Sequence, residues 1–130
     1  MLNLAPQEAY DLLQSTPNAV LIDCRTEIEH MYVGHPVGSE HVAWQEAPDW
    51  EIDPGFVAKV SRLVKGDLTH TVVLICRSGN RSADAALALK AAGFTNVVNV
   101  LEGFEGQLDD NYHRGTKGGW RLHGLPWQQS

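Results

Sequence analysis

Only two cysteines, Cys24 and Cys76, occur in the 130 residues of this chain. Two cysteines make no disulfide framework, and a cytoplasmic setting would keep both as thiols. The six histidines show no zinc-type spacing with the cysteines or with one another, so no metal site is expected, and no organic cofactor is expected either. No apolar run approaches the ~18 residues of a membrane span. The N-terminus, MLNLAPQEAY, lacks the basic flank and apolar core of a secretion signal. Positive charge is scarce: 10 Lys and Arg stand against 16 Asp and Glu, a net charge of −6. That balance argues against nucleic acid or an anionic membrane as a partner. Internal repeats, low-complexity tracts and linkers are also missing. The length suits one domain, residues 1–130.

What is present is an alternation of strands and helices. Residues 2–4 suit a short edge strand, and Pro6 the first turn of a helix with Ala9, Leu12 and Leu13 on one stripe. AVLID (19–23), VVLIC (72–76) and NVVNV (96–100) read as short strands, the first two being continuous apolar runs of the kind buried on both faces. DCRTEIEHMY suggests a short helix, and GHPVGSEHV a turn followed by a strand. Asp53-Pro54 looks like an N-cap and first helical residue, with Phe56, Val57, Val60, Leu63 and Val64 at helical spacing and Gly66 as the stop. The alanine-rich run 81–92 is strongly helix-favouring, and Gly93 ends it. This order predicts an α/β fold with a central, mostly parallel sheet flanked by helices in three layers. Two polar connections stand out. Segment 44–54 carries four acids and two tryptophans, read as aromatics anchoring a loop rather than as a docking surface. Residues 107–119 form an irregular surface arm with His113, Arg114 and Lys117, expected to be passive, or else to border a pocket.

The chemistry concentrates in CRSGNRS, residues 76–82, between the strand 72–76 and the helix 81–92. In open α/β sheets, ligand sites form beyond the carboxyl ends of strands, where Cys76 stands. Gly79 permits the tight turn into the helix, and successive N–H groups in such a turn converge into an anion-binding nest at the helix N-terminus. Thiols at helix N-termini or beside arginine ionise more readily than free ones. Arg77 and Arg81 oppose the global charge here, while Ser78, Asn80 and Ser82 add donors. A buried structural cysteine is the plainer alternative. Flanking arginines could not follow it into an apolar core unpaired, which favours a nucleophile with a cradle for a small anion.

Two reaction classes use such a loop. Cysteine phosphatases and arsenate reductases hold a tetrahedral anion in a Cys-x5-Arg ring, whereas sulfurtransferases use a tighter one. Cys76 and Arg81 are separated by four residues, a shorter ring better suited to a terminal sulfur on Cys76 than to a bound phosphate. At this point the sequence resembles the rhodanese family in its single-domain form. LIDCRTEIEH resembles the family's Asp-x-Arg strand end, GHPVGSEHV its glycine–histidine turn and strand, CRSGNRS its active-site loop, and VLEGFEG with GLPW its closing elements. The resemblance covers nearly the whole chain. Ser39 replaces an alanine and Pro36 an aliphatic residue, and Gly103-Phe104 stands for the usual paired glycines.

The resemblance implies a sulfurtransferase that forms a persulfide on Cys76. The 77–81 amides would stabilise it, and the arginine side chains would position a small anionic sulfur donor such as thiosulfate. The acceptor would be cyanide or a thiol, or a protein sulfur acceptor. It also implies scaffold roles for Asp23, Arg25 and His35, with Glu27 and Glu29 facing solvent. A non-catalytic binding module on the same fold is the alternative. Cys24, where the family often has valine, is read as filling an aliphatic slot, the other reading being a resolving thiol for Cys76.

Overall fold

A computed structural model describes residues 1–130. The elements run β1 (Leu2–Leu4), α1 (Pro6–Ser15), β2 (Val20–Asp23), a single π-helical turn (Glu29–Val33), β3 (His35–Pro36) and β4 (Glu40–His41). There follow α2 (Phe56–Leu63), β5 (Val72–Ile75), α3 (Asn80–Ala91), β6 (Val97–Val100) and β7 (Trp127–Gln128). Five strands form one sheet in the order β1-β6-β5-β2-β4, each pair parallel. A small antiparallel pair, β3 with β7, ties the C-terminus back to the turn before β4.

The strands are short, and each side chain must choose a face. In β5 the residues alternate: Val72 and Leu74 join Ile22, Phe56, Val60 and Leu89 on the side of α2 and α3. Val73 and Ile75 join Ala9, Val98, Val100 and Trp120 on the side of α1 and the C-terminal segment. Both faces are covered, which explains why these strands are apolar throughout rather than alternating. Fully burying one such valine, leucine or isoleucine stabilises the fold by roughly 1.5–3 kcal/mol, so the two clusters set the layer order: α1, sheet, α2 with α3.

Two local expectations need correction. Asp53 does not cap α2, because the N-cap is Gly55. Asp53 instead accepts the Gly55 N–H on Oδ1 (2.8 Å) and pairs with Lys59, closing a turn one step earlier. The DCRTEIEHMY segment is not a plain α-helix. It ends in a π-helical turn, a geometry that arises where one residue too many must fit between fixed ends. Thr26 and Glu29 lock its start: Glu29 N–H donates to Thr26 Oγ1 (3.2 Å), and Thr26 Oγ1 donates to Glu29 Oε1 (3.0 Å). The two tryptophans of the 44–54 segment part ways. Trp44 is buried edge-on to Phe56 and anchors the loop, whereas Trp50 stays 48% exposed.

Candidate active site

Cys76 follows the last residue of β5, and the chain turns through Arg77, Ser78 and Gly79 into α3. Gly79 adopts φ +111°, left-handed backbone that side-chain-bearing residues rarely take, and it is the N-cap of α3. Its amide is thereby aimed inward and donates to Cys76 Sγ at 3.1 Å. Ser82, one turn into the helix, places Oγ 3.2 Å from the same sulfur. Ser82 Oγ also lies within donating distance of Gly79 O and Asn99 Oδ1. One hydroxyl carries one proton, so it donates to only one of the three at a time. Asn99 in turn donates from Nδ2 to Asn3 Oδ1 (3.1 Å), which makes a buried polar chain behind the loop. Sulfur that gains negative charge would draw the Ser82 proton toward itself.

Cys76 is only 1% exposed, yet it borders a cavity of about 750 Å³ that opens to solvent. Arg77, Ser78, Asn80 and Arg81 line the same cavity. The seven-residue loop is therefore gathered around one sulfur, with Gly79 and Ser82 directly on it and the other four on the cavity wall. Behind the loop, the 102–106 turn is packed tightly. Phe104 N–H donates to Cys76 O (2.7 Å), and Glu105 and Gly106 N–H both donate to Arg77 O (2.9 and 3.2 Å). A Cβ on Gly103 would sit 2.5 Å from Cys76 O and 2.6 Å from Arg77 O, so only glycine fits under the loop there.

Arg81 does not reach into the cavity as a free cation. Its Nη1 and Nη2 donate to Glu29 Oε1 (2.7 Å) and Oε2 (2.9 Å). Glu29, expected in solvent, is instead a half-buried partner that ties α3's first turn to the π-helical turn. Burial raises the Glu29 carboxyl, but hydrogen bonding and attraction to Arg81, with help from the Thr26 amide, outweigh it and hold the group below the usual carboxylate range. For Arg81, burial pulls downward, and the Glu29 bonds and charge reverse that, raising it. The signal for Glu29 was present in the sequence as Thr-x-x-Glu at 26–29, a capping box.

Asp23, Arg25 and His35 lie outside the cavity, in a buried network at the strand ends. Arg25 grips Asp23 through Nε (2.8 Å) and Nη2 (2.8 Å), and donates to Gly34 O. Its Nη1 has no hydrogen-bond partner, and the guanidinium sits 4.5 Å above the Phe104 ring, a cation–π contact. His30 Nδ1 lies 2.7 Å from Asp23 Oδ2 and its ring stacks on His35 at 3.8 Å. For Asp23, burial pushes upward, yet the bonds to His30 and Arg25 prevail and bring it down to about 2.

Cys24 is as buried as Cys76 but, unlike it, does not border the cavity. It is fully buried in the apolar cluster and bonds Ile75 O through Sγ at 3.4 Å. Burial first, then the nearby Cys76 and Asp23 charges, push its thiol well above the ordinary range. The register pairing Asp23 with Ile75 runs on through Cys24 N–H to Ile75 O, so Cys24 stands beside Cys76. Paired strands lie about 4.8 Å apart, inside the Cα range for a bridge. Both cysteines are free.

The rest of the lining comes partly from the two polar connections marked in the sequence, which supply Glu46, Trp50 and Arg114. Thr26, Ile28 and Glu105 also line the cavity. Arg114 belongs to the 107–119 arm, which Asp109 organises by accepting from Asn111 N–H, His113 N–H and Thr116 Oγ1. The arm is thus drawn onto the cavity's edge, its Arg114 Nη1 donating to Gly106 O at 2.8 Å. No three His, Cys, Asp or Glu side chains are grouped to hold a metal ion, and no helix is long and apolar enough to cross a membrane.

Comparison with known proteins gives the arrangement its context. A family model described as a rhodanese-like domain matches residues 5–109. An uncharacterised protein of Rickettsia conorii is 33% identical over 128 residues, 97% of this chain and 96% of its own. The thiosulfate sulfurtransferase GlpE of Actinobacillus succinogenes is 28% identical over 125 residues, 96% of this chain and 88% of its own. Among solved structures, Rv0390 from M. tuberculosis superposes with a TM-score of 0.86 at 38% identity, covering 100% of this chain and 98% of that one.

Proposed function

The chain belongs to the rhodanese-like domain family, and from that premise we propose that it is a sulfurtransferase carrying sulfur as a persulfide on Cys76. The observation that supports this most directly is the floor of the cavity: the Cys76 sulfur borders it, with the Gly79 N–H and the Ser82 hydroxyl both on that sulfur, in a ring one residue shorter than a phosphate requires.

The chemistry is covalent catalysis in two steps. The Cys76 thiolate attacks the outer sulfur of a donor such as thiosulfate. The S–S bond of the donor breaks, sulfite leaves with the electron pair, and Cys76 becomes a persulfide. An acceptor, cyanide or a thiol, then attacks the terminal sulfur and regenerates the thiolate. No oxidant or reductant enters. Charge sits on sulfur at both stages, so fixed donors aimed at that position stabilise each without reorganising. Arg77 and Asn80, on the cavity wall, face the anionic end of the donor, while Arg81 holds the loop through Glu29. Two reduced thiols fit a reducing compartment, and the proposal places the protein in the cytoplasm.

Intact mass spectrometry tests the reading. Thiosulfate should add one sulfur, about 32 Da, by capture at the reactive cysteine. Cyanide should remove it as thiocyanate. Cys76→Ser should abolish both. Turnover of a phosphoryl ester with no sulfur adduct would instead assign the loop to phosphate chemistry and end the proposal.

A further inference from the structure

Strand β6 is apolar except at one position. Val97 joins the cluster on the side of α2 and α3, Val98 and Val100 join the other, and strand alternation puts Asn99 on the side of Val97. A sheet covered on both faces calls for an aliphatic residue there, yet the polar Asn99 is only 2% exposed. Burying an amide costs free energy unless its groups are bonded. Both ends of this one are. Nδ2 donates to Asn3 Oδ1 (3.1 Å), on its register partner across the parallel β1–β6 pair, and lies 3.4 Å from Gly79 O. Two acceptors at that end leave Oδ1 to face the Ser82 hydroxyl.

The consequence falls on a single proton. Ser82 Oγ has Cys76 Sγ and Gly79 O each at 3.2 Å, and Asn99 Oδ1 nearer than either. Gly79 O already accepts the Ala83 N–H. An amide oxygen is a far better acceptor than a neutral thiol, so Asn99 takes the Ser82 proton while Cys76 is uncharged. Bonds to a charged acceptor are roughly twice as strong as neutral ones, so an anionic sulfur reverses the preference. The Gly79 N–H is held by the backbone and stays on the sulfur throughout, whereas the hydroxyl is free to turn.

We propose that Asn99 is a positioning residue that acts on Cys76 through the Ser82 hydroxyl. It draws that proton away from a neutral sulfur and yields it to a charged one, by rotation about the Ser82 Cβ–Oγ bond. No proton changes owner. Asn3, on the exposed strand β1, orients the amide and belongs to the same device. Competition for the hydroxyl leaves the thiolate less stabilised than a committed donor would, and a more basic thiolate is the stronger nucleophile. The inference rests on Cys76 as the nucleophile of the sulfur-transfer reading, and not on what that nucleophile attacks.

The test is the rate of Cys76 alkylation by iodoacetamide against pH, the adduct located by peptide mass. Wild type is compared with Ser82→Ala, Asn99→Leu, Asn3→Ala and the Ser82→Ala/Asn99→Leu pair. The other charged and titratable groups near the sulfur or lining its cavity are Cys24, Arg77, Arg81, Glu29, Glu46, Glu105 and Arg114. All seven are common to the five proteins, so differences between profiles report the hydroxyl. Ser82→Ala should raise the midpoint by about one pH unit, a tenfold smaller thiolate fraction, the scale of one bond to a charged acceptor. Asn99→Leu removes the competing oxygen and should lower the midpoint by about half a unit, roughly threefold, since Gly79 O remains. Asn3→Ala should shift it the same way by less. In the Ser82→Ala background, Asn99→Leu should move nothing. A midpoint that stays or rises in Asn99→Leu, or that falls equally without the hydroxyl, overturns the inference. Should Asn99→Leu fail to fold, Asn3→Ala decides, and an unmoved midpoint there overturns it. Thiosulfate loading run alongside separates the two readings. Shifted profiles without loading end sulfur transfer and leave this inference standing, and loading with unmoved profiles overturns this inference alone.

Discussion

Arg81 and Glu29 offer a test of whether the loop arginine anchors the site or serves the donor. The perturbation is a double-mutant cycle of Arg81→Ala, Glu29→Ala and the pair together. The two side chains are 15% and 16% exposed and share two bonds, at 2.7 and 2.9 Å. Exposed pairs contribute about 0–1 kcal/mol, and breaking a fully buried pair costs about 3–5 kcal/mol. This pair lies between, so a coupling of about 2 kcal/mol is expected. For a chain of this size that corresponds to about 6–10 °C in Tm. Urea or thermal unfolding of the four proteins measures it, and persulfide loading of Cys76 is followed alongside. The pair holds the first helical turn of α3, which places the Gly79 N–H and the Ser82 hydroxyl on the sulfur. Both single variants should therefore load more slowly, Glu29→Ala included. A coupling below about 0.5 kcal/mol would show the pair to be ornamental. Faster loading from thiosulfate in Glu29→Ala would show instead that the arginine is a donor-binding cation that Glu29 restrains, and the anchoring argument would fail.

Other consequences follow from the same geometry. Iodoacetamide should alkylate Cys76 in the native protein and Cys24 only after unfolding, because Cys76 borders the cavity that opens to solvent, whereas Cys24 does not line it and its thiol is held well above the ordinary range. Cys24→Ser should keep normal persulfide loading, and loss of loading in that variant would give Cys24 a part in the reaction. Gly103→Ala should destabilise by roughly 2 kcal/mol or more, since the added carbon meets backbone at 2.5–2.6 Å and φ is +63°. Its loading rate should fall with the displaced loop, and a variant as stable and active as wild type would refute the close approach. Acid should weaken the fold through Asp23, whose folded value of about 2 lies below its ordinary 3.8. Between those values the unfolded chain binds a proton that the folded chain refuses. Its contribution, roughly 2 kcal/mol, is therefore present above about pH 4 and lost as pH falls toward 2. Asp23→Asn should flatten that part of the stability–pH curve, and an unchanged slope would remove Asp23 from the account.

Much of the fold could be read in advance because its causes are local. Strands buried on both faces demand largely unbroken apolar runs, and β2 and β5 lie within a residue of where those runs stand. The alanine-rich helix and its terminating glycine carry their own propensities. The π-helical turn was not legible. Its extra residue is held by side-chain and backbone bonds among Thr26, Glu29 and Gly34, which no periodicity reports. The N-cap of α2 was displaced for a related reason, since Asp53 found a turn and Lys59 to bond instead.

The site divides along the same line. The seven residues from Cys76 to Ser82 are contiguous, so a count of their spacing and a knowledge of helix N-termini suffice to mark them, along with the cysteine as the sulfur in question. Long-range pairing decided everything else. Fifty-two positions separate Arg81 from Glu29, and only the parallel order β5-β2 brings the π-helical turn against the start of α3. Arg114 and Trp50 both reach the cavity, the one held by its bond to Gly106 O and the other on the loop anchored by the buried Trp44. Charges and rings acquire roles from their neighbours, and the neighbours across a sheet are set by packing two apolar faces at once, a constraint that acts on the whole chain rather than on any stretch of it.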